Sequence, residues 1–325
     1  MKTAWRHLIA RPGATVFAVA LAVRLLYLFE SARNPTFTSP IVDAATYDTA
    51  ARHLAETGRF TKTFFWQPFF YPAFLAAVYA VSGSSVLFAK IVQCVLGAMT
   101  CVLTWRLGRR VVGHAAGLTA GLIAGLYGPM VFYDGELLAT GWASFWSAAT
   151  LLLLLTASEG RTGTCFCFGI CGGLSILTRP TFAPFVLAGS LWLVWKLATR
   201  SSSGRSSAAP MLAAAAGLLL ALLPVAHLSH EVTGRFSVLP SSGGINLYIG
   251  NNPEMSGTLC VRPGWHWDDL TRMPARHGVP PGPPAAKFFA EEAMTFALAN
   301  PGTFLLGMGV KTLHLISSRE LPRNV

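Results

Sequence analysis

Long apolar runs, separated by short polar or basic stretches, cover most of the chain. A helix needs about 20 apolar residues to cross the hydrocarbon core of a bilayer. The runs that we predict to cross are 12–29, 86–105, 111–132, 137–157, 164–178, 182–198 and 211–228. In lipid, backbone polar groups must be satisfied within helices or closed barrels, and long uninterrupted apolar runs exclude a barrel. The predicted fold class is therefore an all-α polytopic integral membrane protein.

Composition and charge agree with this fold class. Hydrophobic residues make up 53% of the chain and charged residues only 12%, whereas soluble proteins carry about 25% charged residues. The formal net charge is +11, but the basic residues lie between apolar runs rather than in an aromatic-interleaved patch, so nucleic-acid binding is not expected. The positive-inside rule places three basic clusters in the cytoplasm. They are Lys2 with Arg6 and Arg11, Arg106 with Arg109 and Arg110, and Lys196 with Arg200 and Arg205.

This orientation predicts a multi-pass protein of the cell (inner) membrane. We divide the chain into a transmembrane core at 1–230, with an external first loop at about 31–84, and an extracytoplasmic region with short helices at 231–300. Residues 301–325 form either an additional span or an interfacial helix, and truncation is one interpretation of the short tail. The cysteines are interpreted as structural thiols, since all but Cys260 lie in apolar runs, and neither a disulfide nor a metal site is expected.

Two segments of the first external loop are predicted to lie at the membrane surface rather than to cross it. The first is a helix over 44–57 whose apolar stripe recurs at helical spacing. This stripe consists of Tyr47, Ala50, Ala51 and Leu54. The opposite, exposed face carries Asp48, Arg52 and Glu56, with Asp43 at the N-cap and Gly58 just past the C-terminus. The second segment, 68–82, is interfacial because a span there would place the 106–110 arginines outside.

Acidic residues gather on the external side of the predicted topology. They are Glu30, Asp43, Asp48, Glu56, Asp134 and Glu136. Ionisable groups near hydrocarbon are functional candidates by default, although Asp43 also fits a helix cap, Asp48 a partner of Arg52, and Glu136 a solvated headgroup-level residue. Transfer of a sugar from a polyprenyl phosphate would use such groups, because the acceptor hydroxyl needs a general base and the leaving phosphate needs cations. Arg179 and Arg24 are candidate cations, and Arg24 alternatively pairs with a buried acid or snorkels outward.

Five motifs follow one another in an order typical of a known superfamily. In chain order they are RLLYLFE, DAATYDTAARHLAETGRF, WQPFFYPAFLAAVYAVSG, TWRLGRR and FYDGELLATGWASF. From residue 24 to 180 this order resembles the GT-C glycosyltransferases, in particular the branch of protein O-mannosyltransferases and the aminoarabinose transferase of lipid A, and GGINLYIGNNPEMSG and SRELPRNV also resemble this branch. The resemblance implies a GT-C helix bundle with extracytoplasmic juxtamembrane helices. It also implies an inverting hexosyl- or pentosyltransferase that uses a polyprenyl-phosphate-linked donor and a protein, lipid or glycan acceptor.

The same resemblance implies roles for individual residues. Asp43 matches the catalytic base, Glu136 matches the acid at the outer end of the third span with Asp134 as the alternative, and Arg179 matches a residue that contacts lipid phosphate. Gln67 stands where relatives have a second acid, which argues against a bound divalent metal, so no cofactor is predicted. The other substrate-binding candidates are Arg24, Tyr47, Asp48, Gln67, Tyr71 and Asp134.

Two other functions compete with this one. A polytopic transporter or lipid flippase would carry ionisable residues near mid-membrane, broken helices and a repeat relating two halves, and the sequence shows no repeat. An inactive, truncated GT-C relative that acts as an envelope scaffold is the other alternative.

Overall fold

The computed structural model describes residues 11–200, 208–254 and 264–316, and in these ranges the regular structure is helical. The α-helices that belong to the predicted membrane core and its surface are α1 Pro12–Ser31, α2 Val42–Thr57, α3 Phe70–Ser82, α4 Val86–Val111, α5 His114–Leu126, α6 Gly128–Gly135, α7 Thr140–Ala157, α8 Thr162–Thr178, α9 Ala183–Arg200 and α10 Ala208–Thr233. The later helices are α11 Gly243–Gly250, α12 Trp265–Arg276, α13 Pro283–Ala299 and α14 Pro301–Ile316. The all-α fold class is confirmed.

Several of these helices are long and apolar enough to cross a membrane. Among the described residues, length and composition give 5 such helices, or up to 7 if each of two bent pairs is counted as one span. The helices lie where the apolar runs predicted them, with ends that differ by a few residues. Lys2, Arg6, Arg205, Cys260 and the SRELPRNV segment lie outside the described residues.

The segment predicted as a span at 111–132 is broken into two helices. The chain leaves the helix at Tyr127, whose backbone is extended, and α5 and α6 meet at a bend of 53°. Pro129 explains the break, because proline lacks the amide hydrogen that would continue the hydrogen bonding of α5, and it fits only the first turn of a new helix. The second half of the broken span therefore delivers Asp134 and Glu136 from a separately oriented helix.

The described residues form two compact units. The first comprises the described parts of Met1–Pro40, Ala44–Phe60 and Pro68–Val238, and the second those of Ile41–Asp43, Thr61–Gln67 and Leu239–Val325.

Small residues allow helices of the first unit to pack with their backbones close together. A Cβ atom at Gly169 of α8 would lie 2.0 Å from the carbonyl oxygen of Ala214 in α10. A Cβ atom at Gly217 of α10 would lie 2.2 Å from the carbonyl oxygen of Phe166. Side chains at these positions would push the two helices apart. This is the packing expected in lipid, where helix association depends on close van der Waals contact.

Helix α2 packs on the first unit through the apolar stripe predicted from sequence. Tyr47 and Ala51 are buried in one cluster with Tyr71, Leu75 and Leu137. The C-terminal glycine is also confirmed, since Gly58 follows the helix with a φ of 66°. The predicted N-cap is wrong, because α2 begins at Val42 and Asp43 lies within its first turn.

The second unit contains the short helices predicted for the polar region. Its α11 and α13 pack together, with Ile245 and Phe289 buried. The backbone amide of Ser241 donates to the carbonyl oxygen of Phe65 at 2.9 Å, which ties the segment before α11 to Thr61–Gln67. Helices α13 and α14 meet at a bend of 108°.

Candidate active site and family

A buried ion pair joins α1 to the broken span. Arg24 Nε donates to Asp134 Oδ2 at 2.7 Å, and the two side chains are 0% and 3% exposed. Arg24 Nη1 also donates to the carbonyl oxygens of Ala20 and Gly125, at 3.1 and 3.2 Å. The structure therefore shows the pairing with a buried acid that the sequence left open for Arg24. A role of Arg24 in substrate binding stays a prediction.

Two glycines make room for this ion pair. A Cβ atom at Gly97 of α4 would lie 1.9 Å from Asp134 Oδ2 and 2.5 Å from Arg24 Nε. A Cβ atom at Gly141 of α7 would lie 2.5 Å from Asp134 Oδ1. Asp134 is thus enclosed by α1, α4 and α7, and any side chain at either glycine would displace its carboxylate.

Gln93 holds the segment that connects α6 to α7. Its Nε2 donates to the main-chain oxygens of Asp134 and Glu136, at 3.2 and 2.6 Å. Its Oε1 accepts a hydrogen bond of 2.6 Å from the hydroxyl of Tyr71, which is fully buried and packs edge-on against Tyr47. This chain of hydrogen bonds links α3 to the backbone of Glu136. Tyr47 and Tyr71 are both core residues here, and their contact with a substrate stays a prediction.

Glu136 is paired with a lysine that sequence reasoning missed. Lys90 Nζ lies 3.6 Å from Glu136 Oε2 and 4.1 Å from the centre of the Phe37 ring. Lys90 is 2% exposed as a side chain and Glu136 27%, so the acid reaches solvent and the lysine does not. A lone lysine inside an apolar run was the signal that could have identified it.

Asp48 is less exposed than the sequence predicted. It does pair with Arg52, at 2.8 Å, but it also accepts a short hydrogen bond from the hydroxyl of Tyr79 on α3. The Arg52 guanidinium lies over the Tyr79 ring, 5.0 Å from its centre. The carboxylate is 13% exposed, so the predicted exposed position of Asp48 is wrong although its predicted pairing with Arg52 is confirmed. Asp48 joins α2 to α3.

Two contacts show the relative directions of α4, α7 and α8. Arg179, exposed just after α8, donates from Nη2 to Thr140 Oγ1 at the start of α7, at 2.9 Å. At the opposite end of α7, Arg110 of α4 pairs with Glu159 at 2.6 Å. The end of α8 thus meets the start of α7, and the end of α4 meets the end of α7.

Asp43 and Gln67 both belong to the second unit. Gln67 Nε2 donates to Asp43 Oδ1 at 3.4 Å. The segments that carry the predicted base and the glutamine in place of the second acid therefore meet directly. Their predicted roles are not tested by this contact.

A pocket with a volume of about 210 Å³ lies beside the α5–α6 break in the first unit. Tyr127, Tyr133 and Asp134 line it from α6 and the break, and Thr140, Gly141 and Ser144 line it from α7. Two charged pairs of the first unit, Arg24–Asp134 and Lys90–Glu136, thus lie next to the α6–α7 connection. Glu136 and Thr140 are four residues apart, so at most about 14 Å of chain separates the Lys90–Glu136 pair from the residue that holds Arg179.

Several apolar helices long enough to cross a membrane indicate a multi-pass membrane protein. A family model described as dolichyl-phosphate-mannose-protein mannosyltransferase matches residues 66–229, about half of the chain. The chain belongs to this family, which confirms the suspected GT-C resemblance, and it is a glycosyltransferase. Searches of curated proteins and of solved structures gave no match.

Proposed function

We propose that the protein transfers a glycosyl group from a polyprenyl-phosphate donor to an acceptor on the extracytoplasmic face of the cell (inner) membrane. The family supports a lipid-linked donor. The observation that carries the proposal is the gathering of Lys90, Glu136, Thr140 and Arg179 at the ends of α4, α6, α7 and α8. A sugar–phosphate bond at headgroup level would meet charged residues there while its isoprenoid tail stays in lipid.

The proposed reaction is a direct displacement with inversion at the anomeric carbon. The acceptor hydroxyl oxygen forms a bond to this carbon while the bond to the phosphate oxygen breaks and its electrons pass to the phosphate. The carboxylate of Asp43 takes the hydroxyl proton, since a neutral hydroxyl is a weak nucleophile. The resemblance to the family supports this role of Asp43. Metal independence remains part of the proposal, because Gln67 replaces the second acid.

Arg179 is the proposed contact for the leaving phosphate. It is exposed, its Nη2 is held by a neutral hydroxyl, and it forms no ion pair with the described carboxylates. Arg24 and Lys90 differ, because each is buried against an acid. A guanidinium presents several donors in a plane and suits a phosphate well. Charge that develops on the phosphate would therefore be stabilised at Arg179.

Transfer from a polyprenyl-phosphate sugar tests the proposal. Mannose is the first sugar to use, because the family's description names it. Purified protein in lipid vesicles is supplied with polyprenyl phosphate mannose and with protein, lipid and glycan acceptors. Asp43→Asn removes the base with little change in size, so its kcat is expected to fall by about 10²–10⁴-fold.

Glu56→Gln is the matched control, since Glu56 is an exposed carboxylate on the same helix. Its transfer rate is expected to equal that of the wild type. Unchanged transfer in Asp43→Asn would remove Asp43 from the base role. Absence of transfer by the wild type to every acceptor class would count against the proposed reaction.

One observation fits the alternative of a lipid transporter. The α5–α6 break, with the Arg24–Asp134 pair beside it, resembles the discontinuous helices of transporters. A transporter would move the intact polyprenyl phosphate sugar between leaflets and leave its glycosidic bond unbroken. The same vesicles decide between the two, since only a transferase releases polyprenyl phosphate.

A further inference from the structure

The pocket beside the α5–α6 break has an acidic floor with one unused oxygen. Asp134 Oδ2 accepts from Arg24, whereas Asp134 Oδ1 receives no hydrogen bond from the described residues. The carboxylate is 3% exposed, and Oδ1 is not among the fully buried side-chain atoms of the described residues that lack a partner, so its small accessible surface opens to the pocket that Asp134 lines. The position of Gly141, whose added Cβ would lie 2.5 Å from Oδ1, shows that this oxygen faces α7 and the pocket. The pocket is therefore suited to a group that donates a hydrogen bond.

The rim of the same pocket is cationic. Thr140, which lines the pocket, accepts a hydrogen bond from Arg179 through its Oγ1. Its hydroxyl proton is therefore directed away from Arg179 and can be donated to a ligand. The exposed guanidinium of Arg179 has further donors, and it forms no ion pair within the described ranges. The rim thus favours an anion, while the floor favours neutral hydroxyl groups.

A glycosyl phosphate matches both ends of this arrangement. Its sugar hydroxyls donate hydrogen bonds, and its phosphate accepts them from a cation and a hydroxyl. Asp134 Oδ1 accepts hydrogen bonds and so suits a sugar hydroxyl better than a phosphate oxygen, which also only accepts, and an amine at the rim would be repelled by Arg179. These preferences place the sugar of a glycosyl phosphate at Asp134 and its phosphate at Arg179.

We propose that this pocket holds the glycosyl group of the donor lipid, with a sugar hydroxyl on Asp134 Oδ1 and the phosphate at Thr140 and Arg179. The inference rests on the proposed function and names the sugar-binding pocket within it. In this arrangement Arg24 acts as a positioning residue, since it orients Asp134 and neutralises its charge without touching the sugar.

A binding experiment isolates the contribution of the sugar. The probes are a short-chain isoprenyl phosphate mannose and the same isoprenyl phosphate without mannose, and Kd is measured from the intrinsic tryptophan fluorescence of the protein in detergent. Gly141→Ala places a methyl group against Asp134 Oδ1. We expect it to weaken binding of the mannosyl probe by about tenfold or more, as for a lost hydrogen bond to a charged group. Binding of the sugar-free probe should stay within about twofold of the wild type.

Two further variants keep the test decisive. Ser147→Ala is the matched control, because Ser147 lies on α7 and donates to the carbonyl oxygen of Ala143, outside the pocket lining. It should bind both probes as the wild type does. Ser144→Val fills the pocket from its other lining position on α7 and replaces Gly141→Ala if that variant does not fold.

The outcomes separate this inference from the proposed function. Equal weakening of both probes, or no weakening of the mannosyl probe in either pocket variant, would overturn the inference and leave the transferase proposal standing. If the wild type binds neither the mannosyl probe nor the sugar-free probe, both this inference and the proposed function are wrong. A third probe, short-chain phosphatidylglycerol, carries hydroxyls and a phosphate from a different lipid. If it binds as tightly as the mannosyl probe and with the same dependence on Gly141, the pocket is a phospholipid site and the inference is wrong.

Discussion

Replacing Gly97 with alanine is expected to break the buried Arg24–Asp134 ion pair and to destabilise the protein. The added Cβ would lie 1.9 Å from Asp134 Oδ2 and 2.5 Å from Arg24 Nε, well inside contact distance. These are the two atoms that form the 2.7 Å bond. Neither helix backbone nor carboxylate can make room without separating them, so a single methyl group removes the interaction while both charges stay buried.

The size of the effect follows from two opposing terms. Breaking a buried ion pair and leaving its charges uncompensated costs about 3–5 kcal/mol. Replacing glycine by alanine inside a helix contributes about 1 kcal/mol in the other direction. The net loss is therefore about 2–4 kcal/mol. At about 2–4 °C per kcal/mol for a unit of this size, Tm should fall by roughly 4–16 °C.

Thermal unfolding in detergent, followed by tryptophan fluorescence, measures this change. Gly163→Ala is the control, because Gly163 lies in the first turn of α8 and an added Cβ there meets no atom within 4 Å. Its Tm should equal or slightly exceed that of the wild type. If Gly97→Ala also unfolds at or above the wild-type temperature, the ion pair does not stabilise the fold as argued.

Three further predictions concern other parts of the first unit and the reaction. Gln93→Leu leaves the hydroxyl of Tyr71 and two main-chain carbonyls without their partner, so the free energy of unfolding should fall by about 2–4 kcal/mol. An unchanged Tm would contradict the structural role of this amide. Asp48→Asn weakens the contacts with Arg52 and Tyr79 at a partly exposed site, so the free energy of unfolding should fall by only about 1 kcal/mol. A loss as large as that of Gln93→Leu would contradict this estimate. Addition of EDTA should leave the transfer rate unchanged, and a loss restored by a divalent cation would refute metal-independent transfer.

The spacing of apolar residues and the residues that end helices were sufficient to predict the elements that depend on local sequence. The apolar stripe of α2 was identified correctly, because residues on one helical face recur at fixed spacing and must be buried. Gly58 was also identified, since it has the left-handed backbone that ends many helices. The break at Tyr127 was missed although the Gly128–Pro129 dipeptide signals one. Apolar composition continued across it, and hydropathy does not register a change of axis.

The contacts of the charged groups could not be predicted in the same way. Arg24 and Asp134 are 110 residues apart in sequence, and no local pattern indicates that they meet. Tyr79 likewise converts Asp48 from an apparent surface residue into a link between α2 and α3. Lys90 shows the opposite failure, because its apolar neighbours concealed an ionisable residue that hydropathy alone averages away. Which charged side chains pair depends on the tertiary structure. The sequence indicates only which residues need a partner.

The pairing pattern explains why a substrate phosphate would choose Arg179 over the other two cations. Displacing Asp134 from Arg24 would leave a buried carboxylate without its countercharge, which costs several kcal/mol. A phosphate at Lys90 would have to reach a side chain that is only 2% exposed. A phosphate at Arg179 would break no ion pair, since the partner of Arg179 is the neutral hydroxyl of Thr140. That hydroxyl can bind the same phosphate. Its place at the C-terminal end of α8 also stabilises the free cation through the helix dipole. A cation held ready by a neutral partner can exchange substrate and product, whereas one locked to an acid cannot.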